Sequence, residues 1–573
     1  MAEAEAAEAA EAREQKRDGE QDHFWPLGLI TAGVTVALLV PVLRLWRASL
    51  GVPFLYTSDA NSHAMMVKSV LDHGWYERNP NLGAPFVQHF ADYPMADNLH
   101  LVVVRLLGLF GASWPVAVNL SYLLGFVVIA VVTAWVARRL GLSRLVSLAV
   151  GVLYAFLPFH FIRGELHLFL SQYFTVPLAC YLVLRALGIG PPLRFSIGVV
   201  VMGVLIGSGG AYYAVFALLL FAVALAMNAL ARAGRPVLVQ TAAVAAVIGV
   251  TLLANMAPDI LYDREHGANP ELAQRIPAEA EFYGLKLSAL LLPREDHRID
   301  RLGRVNEHYQ DVSPVPGEQE YQALGLIGAA GLVWLLGAAV LRRRDEDELT
   351  SRLSGLTVAT LLVATVGGLS AIVALKVTPQ IRAWNRISVF VGFFALVAVG
   401  VLLDRAARRI PVGVLVAAAV LFGVLDQTSG ADVPRYAAID KQFTSDARFV
   451  EAIERHVGER ALVFQLPYMP FPEHPPLVDI DGYDHLRGYL HSSTLRWSHG
   501  GMKGREEGDW QMAVVDKPVP DLVADVRGRG FDAVYIDRFG YLDRAAALER
   551  ELTALLGPPA VVSEDNRLVL YRL

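Results

Sequence analysis

The residues best equipped for chemistry lie in short polar stretches that interrupt long apolar runs. The first stretch reads FLYTSDANSHAMM and sets Asp59 at the start of a helix, with His63 one turn later on the same face. A carboxylate there can take a proton from an acceptor hydroxyl as a general base, or Asp59 or Ser58 can simply cap the helix, the commoner use of such residues. Farther on, NPNLGAPFVQHFADYPMADNLHLVVVRLLGLF places Asp92, Asp97 and His100 at the entrance of an amphipathic stretch, 99–110. That stretch is short and carries Arg105, so it is expected to lie along a membrane interface rather than cross it. Asp59, His63 and Asp97 are the candidates for holding a divalent metal, and Asp92 and His100 could join them. Their spacing fits no specific metal motif, and helix caps and solvated loop charges account for the same residues.

A second group, FHFIRGELHLF, brings His160, Arg163, Glu165 and His167 into one tight turn. Ionisable residues beside apolar runs are costly unless paired or used, so either an Arg163–Glu165 ion pair with two snorkelling histidines or a site explains them. GSGGAYY, ending in Tyr212 and Tyr213, is a glycine break where backbone could approach a ligand or where helices pack closely. Cations able to hold a phosphate occur as Arg294, His297, Arg298 and Arg301, and again in KVTPQIRAWNRIS as Lys376, Arg382 and Arg386, beside Trp384 and Asn385.

The elements that must position these groups are membrane helices. Of 573 residues, 54% are hydrophobic and 18% charged, with a mean hydropathy of +0.40, too apolar for a soluble protein of this size. Apolar runs at 27–45, 114–137, 145–160, 166–187, 194–210, 211–231, 237–256, 321–341, 353–375, 387–403 and 411–426 predict about eleven crossings. Every second loop is basic: Arg138, Arg139 and Arg144, then Arg185 and Arg194, Arg232 and Arg235, Arg342 to Arg344, and Arg405, Arg408 and Arg409. The positive-inside rule puts these loops and the polar, Ala/Glu-rich tail 1–24 in the cytoplasm. Loops 47–113 and 257–320 and the segment 427–573 then lie outside, with 25–426 as the transmembrane domain. KVTPQIRAWNRIS breaks the rule, which favours an anionic lipid or substrate headgroup nearby, while interfacial anchoring by its arginines and Trp384 is the simpler account.

The C-terminal segment alternates helical and strand patterns and predicts a small extracytoplasmic α/β domain. Helices are expected at 446–456, 522–528 and 542–556, strands at 461–466 and 531–537, and a hairpin in VVSEDNRLVLYRL. The lone Cys180 excludes an intramolecular disulfide. No Walker loop, GxGxxG, HExxH or GxSxG is present, and nothing points to nucleic acid. Tyr483, Arg487, Tyr489, Trp497 and Lys503, in a stretch without regular periodicity, suit either carbohydrate binding or packing against the membrane body.

This pattern resembles the GT-C superfamily of polytopic glycosyltransferases, in the bacterial branch that includes YfhO-like proteins. The resemblance rests on SDA after the first helix, the interfacial helix in the same loop, the C-terminal outer domain, and the segments GAPF, DYPMADNLH, LPFHFIRGELHLF and RAWNRIS. It implies an enzyme of the bacterial cytoplasmic membrane that moves a sugar from a polyprenyl-phosphate-linked donor to an envelope glycan, lipid or protein acceptor outside, with Asp59 as base and Arg382 and Arg386 near the leaving phosphate. The remaining polar residues named above, Tyr212 and Asn385 among them, become candidates for binding substrate. Asp59 stands alone where better-defined branches carry an adjacent Asp-Glu pair. A flippase for lipid-linked sugars or a non-catalytic envelope assembly protein are the competing functions, although the spans carry few charges and no repeated half.

Overall fold

The computed structural model describes residues 24–93, 95–272, 274–313, 318–341 and 347–573. The polar tail, apart from Phe24, and Arg342 to Arg344 lie outside the described residues. Each of the eleven apolar runs is largely helical, but only six helices among the described residues have the length and apolarity of a crossing: Phe24–Leu43, Trp114–Arg139, Arg144–Arg163, Ala211–Leu230, Arg235–Asn255 and Trp384–Ala406. At ~1.5 Å per residue, the 20 residues of Phe24–Leu43 span about 30 Å. Thr31 and Thr35 on its buried side donate to the carbonyls of Leu27 and Thr31, so neither hydroxyl is left unpaired in an apolar setting.

The shorter runs have physical breaks. Run 166–187 divides into Leu168–Ser171 and Thr175–Ala186, and run 353–375 divides into Glu348–Ala364 and Leu369–Lys376. Between the latter two the chain reverses through Gly367, whose φ of 74° is open to glycine at little cost. After Val412–Gln427 the chain bends by 71°, where Ser429 and Asp432 form a capping box. The Asn98–Leu109 helix turns Val102, Val103, Leu106 and Leu109 outward, a strip that a lipid interface would cover.

The C-terminal segment forms a five-stranded mixed sheet in the order Arg496–Trp497, Leu462–Leu466, Ala533–Asp537, Leu568–Arg572 and Val561–Val562. The first three strands run parallel, and the last two add antiparallel. Because side chains alternate across a strand, the sheet serves two cores. Val463, Tyr535, Leu568 and Leu570 join a core continuous with the membrane helices and with the Tyr436–Val457 helix. Phe464, Leu466, Val534, Ile536 and Val569 pack on the other face against the Val519–Gly528 and Ala546–Leu556 helices.

The first loop is stitched into this sheet. Ala84 and Phe86 enter the second core. Trp497 donates its backbone N–H to Asn81 (2.8 Å), Ala84 donates to Trp497 (2.9 Å), Gly83 donates to His499 (3.1 Å), and the Arg496 guanidinium donates to the carbonyls of Pro85 and Phe86. The segment following the Ser58–His73 helix is thereby bonded to the C-terminal sheet.

Candidate functional site

Asp59 begins the Ser58–His73 helix, yet it does not cap it. The N-cap is Thr57, whose own hydroxyl is turned away to Asp481, and Ser58 takes a φ of 51°. A left-handed serine costs on the order of 1–3 kcal/mol, the kind of strain a fold keeps where a side chain must be aimed. The strain frees the Asp59 carboxylate, which stands 3.4 Å from His167 Nε2. Its side chain remains 42% exposed, with protein walling the other sides. That partial burial raises its pKa above the ordinary carboxylate value, and Glu473 pushes the same way, while His63, Arg163 and Arg386 oppose. His63 donates from Nδ1 to the Asp59 carbonyl (2.8 Å), leaving its Nε2 as the acceptor nitrogen, and burial lowers its pKa.

The cations around Asp59 differ in one respect that matters. Arg163, with no exposed side-chain surface, is ion-paired to Glu318, stacks 3.6 Å over the Tyr321 ring and approaches the His167 ring at 3.4 Å. Glu318 also accepts from Asn385 Nδ2 (3.0 Å). Burial alone would raise its pKa, but Arg163, Arg386 and Asn385 together hold it below the usual value. Arg382 is 3.4 Å from Glu279 and lies over Tyr283. Arg386 lies 4.1 Å over the Tyr212 ring, has a buried Nε without a hydrogen-bond partner, and forms no ion pair with any described carboxylate. Its charge nevertheless reaches Asp59, Asp97 and Glu318. An unpaired guanidinium set on an aromatic face beside an open carboxylate can receive an anionic group.

The C-terminal domain contributes a wall that the sequence did not reveal. Glu473, at φ 60°, accepts from Arg275 (2.6 Å) and from the Tyr93 hydroxyl (3.1 Å), and its own N–H donates to the Tyr483 hydroxyl (3.1 Å). Burial would raise the Glu473 pKa, but Arg275 and Tyr93 bring it below the usual value, so it is an anion facing Asp59. The FPEH segment gives no signal for this, because the contact joins residues nearly 400 positions apart. Tyr321, Glu318, Tyr283 and Arg275 were missed for the same reason.

Asp97 and His100 sit beside this group. Asp97 precedes the Asn98–Leu109 helix without a side-chain cap bond, and burial raises its pKa to about 6. Gly210, at φ 116°, passes so close that a Cβ would lie 3.0 Å from the Asp97 carboxylate, so the glycine break serves approach of the first loop. His100 stacks on Phe169, whose other contact is the edge of His63. For the metal candidates Asp59, His63 and Asp97, the His63 Nδ1 donates to the Asp59 carbonyl, and no three His, Cys, Asp or Glu side chains among the described residues converge at ion-binding range.

Several expected residues lie elsewhere. Arg163 and Glu165 do not pair, since Gly164 at φ 41° turns them apart; Glu165 accepts from the Leu55 N–H (2.9 Å), and burial lifts its pKa to about 8. His160 is a core histidine stacked 3.6 Å on Phe126. Asp92, without exposed side-chain surface, is held by Arg505 at 2.6 Å. Arg487 is buried, bonded to Asp484 (3.0 Å) and the Tyr56 carbonyl (3.0 Å). Trp497 is wholly buried against Gly488 and Tyr535, and Tyr489 is buried as well. Lys503 lies in a turn whose backbone bonds to Phe471 and Asn269. Arg487, Tyr489 and Trp497 are thus packed inside the C-terminal segment, while the Lys503 side chain is part-exposed. Arg294 is likewise committed, to Asp296 and Asp432, and His297 to Asp426.

No family model and no curated protein matches the sequence. Several solved structures resemble the chain, two of them at a TM-score of 0.50. The chain is similar to the arabinofuranosyltransferase AftD from Mycobacteria, with a TM-score of 0.50 and 18% identity over 89% of this chain and 35% of that one. It is also similar to ArnT from Cupriavidus metallidurans bound to undecaprenyl phosphate, with a TM-score of 0.50 and 12% identity over 94% and 98% of the two chains. At these identities the likeness is one of fold: the chain shares the overall fold of these two proteins. It spans about a third of the length of AftD but nearly the whole of ArnT.

Proposed function

We propose that the protein is a GT-C-type glycosyltransferase that moves a sugar from a polyprenyl-phosphate-linked donor to an envelope glycan, lipid or protein acceptor. In this reading it sits in a bacterial cytoplasmic membrane with about eleven crossings, several made by shorter or broken helices, the N-terminus inside and the C-terminal domain outside. The observation that carries the reading is a part-exposed, raised-pKa carboxylate at Asp59 within electrostatic reach of Arg386, a guanidinium with no ion pair among the described residues. The undecaprenyl phosphate bound to ArnT supports a polyprenyl carrier.

The chemistry is a displacement at the anomeric carbon. The acceptor hydroxyl oxygen forms the new bond to that carbon, its proton goes to Asp59, and the bond to the carrier phosphate breaks with its electron pair moving onto the phosphate. Arg386 stabilises the charge that develops there, as a preorganised cation does most where water is scarce. Arg163 is held by Glu318 and orients His167 toward Asp59. Glu473 and the tyrosines around it form the acceptor side, supplied by the outer domain.

The test is mass spectrometry of envelope glycans in cells lacking the protein and complemented at equal expression. Wild type should restore a missing glycan, and Asp59→Asn should slow its formation by about 10²–10⁴-fold, the usual worth of a positioned base. Full restoration by Asp59→Asn would remove the base and with it this mechanism.

A further inference from the structure

An opening of about 800 Å³ lies at the end of the first apolar helix, and Asp59 does not line it. Its floor is apolar, made by Val52, Pro53, Val433 and Pro434, and its rim carries Arg47 and Arg435. The position is fixed by Tyr436, which donates its hydroxyl to the Leu43 carbonyl (2.8 Å) and meets the Phe54 ring edge-on. The cavity therefore opens where the Phe24–Leu43 helix leaves the hydrocarbon, level with the exposed Trp46 (65%), an interfacial aromatic.

Both arginines are exposed, and neither has a carboxylate or hydrogen-bond partner for its side chain among the described residues. Asp440 also lines the opening, at a distance from both guanidinium groups too long for an ion pair, so the rim keeps a net positive charge. Two free guanidinium groups above an apolar floor, at the depth of lipid headgroups, match one ligand chemistry: a phosphate diester attached to an acyl-chain lipid. The exposed flank of the first helix, with Leu29, Ile30 and Val36, continues downward as a surface for the chains.

We infer that this cavity is a binding site for the headgroup of an anionic phospholipid, separate from the Asp59 opening. The lipid fastens the end of the first helix to the start of the Tyr436–Val457 helix, and so the membrane body to the outer domain. The inference stands apart from the transferase reading.

Delipidated full-length protein in detergent, titrated with phosphatidylglycerol and separately with phosphatidylcholine, tests it by native mass spectrometry and thermal melting. Phosphatidylglycerol should bind more tightly than phosphatidylcholine and raise the melting temperature. Arg47→Gln/Arg435→Gln should weaken phosphatidylglycerol about tenfold or more while leaving phosphatidylcholine unchanged. Ala438→Trp, which fills the opening without touching the charges, should do the same. Unchanged phosphatidylglycerol binding in both variants overturns the inference. So does a result in which inorganic phosphate alone gives the whole thermal shift, since the site would then hold a free anion rather than a lipid.

Discussion

Arg163 and Arg386 flank the same carboxylate, and the structure gives them opposite consequences on removal. Arg386→Gln takes away a guanidinium with no ion-pair partner among the described residues, so no direct pair is broken and, with Asp97 able to take up a proton, the melting temperature should stay within a degree or two. Its cost should fall on turnover: losing one preorganised group at a developing charge costs about 2.7–4 kcal/mol, or roughly 10²–10³-fold in rate. Arg163→Gln strands Glu318 and empties the face of Tyr321. Breaking a buried pair costs about 3–5 kcal/mol, and the low end applies here because Glu318 keeps 26% of its side-chain surface and the Asn385 hydrogen bond. The assay is glycan formed per folded protein in complemented cells, alongside melting of the purified variants in detergent. Turnover within threefold of wild type for Arg386→Gln, or a loss of stability equal to that of Arg163→Gln, would refute the argument that Arg386 is held free for an anion.

The remaining expectations follow from pKa direction and from burial. Because Asp59 must be ionised to accept a proton and its enclosure raises its pKa, the rate should fall as pH drops through a value above the ordinary carboxylate range; Arg386 lowers that pKa, so Arg386→Gln should shift the acid limb of the residual rate to higher pH. Arg505→Met leaves the Asp92 carboxylate buried without its cation and should cost about 3–5 kcal/mol in stability, with much of it recovered by adding Asp92→Leu, read as melting temperature. Trp497→Ala should lower folded yield and stability by about 3–5 kcal/mol through the cavity it leaves, with no selective change in acceptor dependence of the residual activity.

Helical runs were legible because an apolar stretch near membrane length has few other ways to satisfy its backbone, and the SDA signal marked the start of the Ser58–His73 helix correctly. Breaks inside runs, such as that between Ser171 and Thr175, were not, since hydropathy averages over them. At the site, residue types near Asp59 could be named, but partners could not. Arg163 has Glu165 two positions away and chooses Glu318, 155 residues on, because Gly164 rotates the nearer carboxylate toward Leu55. The stretch holding Arg487, Tyr489 and Trp497 has the composition of a sugar-binding loop. Composition does not say which side of a sheet will be covered, and here both sides are.

The joining of Asn81, Gly83 and Ala84 to the strand at Trp497 also orders events during synthesis. More than 400 residues separate the two halves of that contact. At ribosomal rates of ~5–20 residues per second, the first loop must wait on the order of tens of seconds, with its strand-edge amides unsatisfied, before its partner emerges. The helix carrying Asp59 therefore cannot settle as it is inserted, and the opening is completed only when the last hundred residues have been made. A nascent chain interrupted after Val412–Gln427 would hold every residue of the Asp59 turn and still lack Glu473 and the strand at Trp497 that surround and brace it.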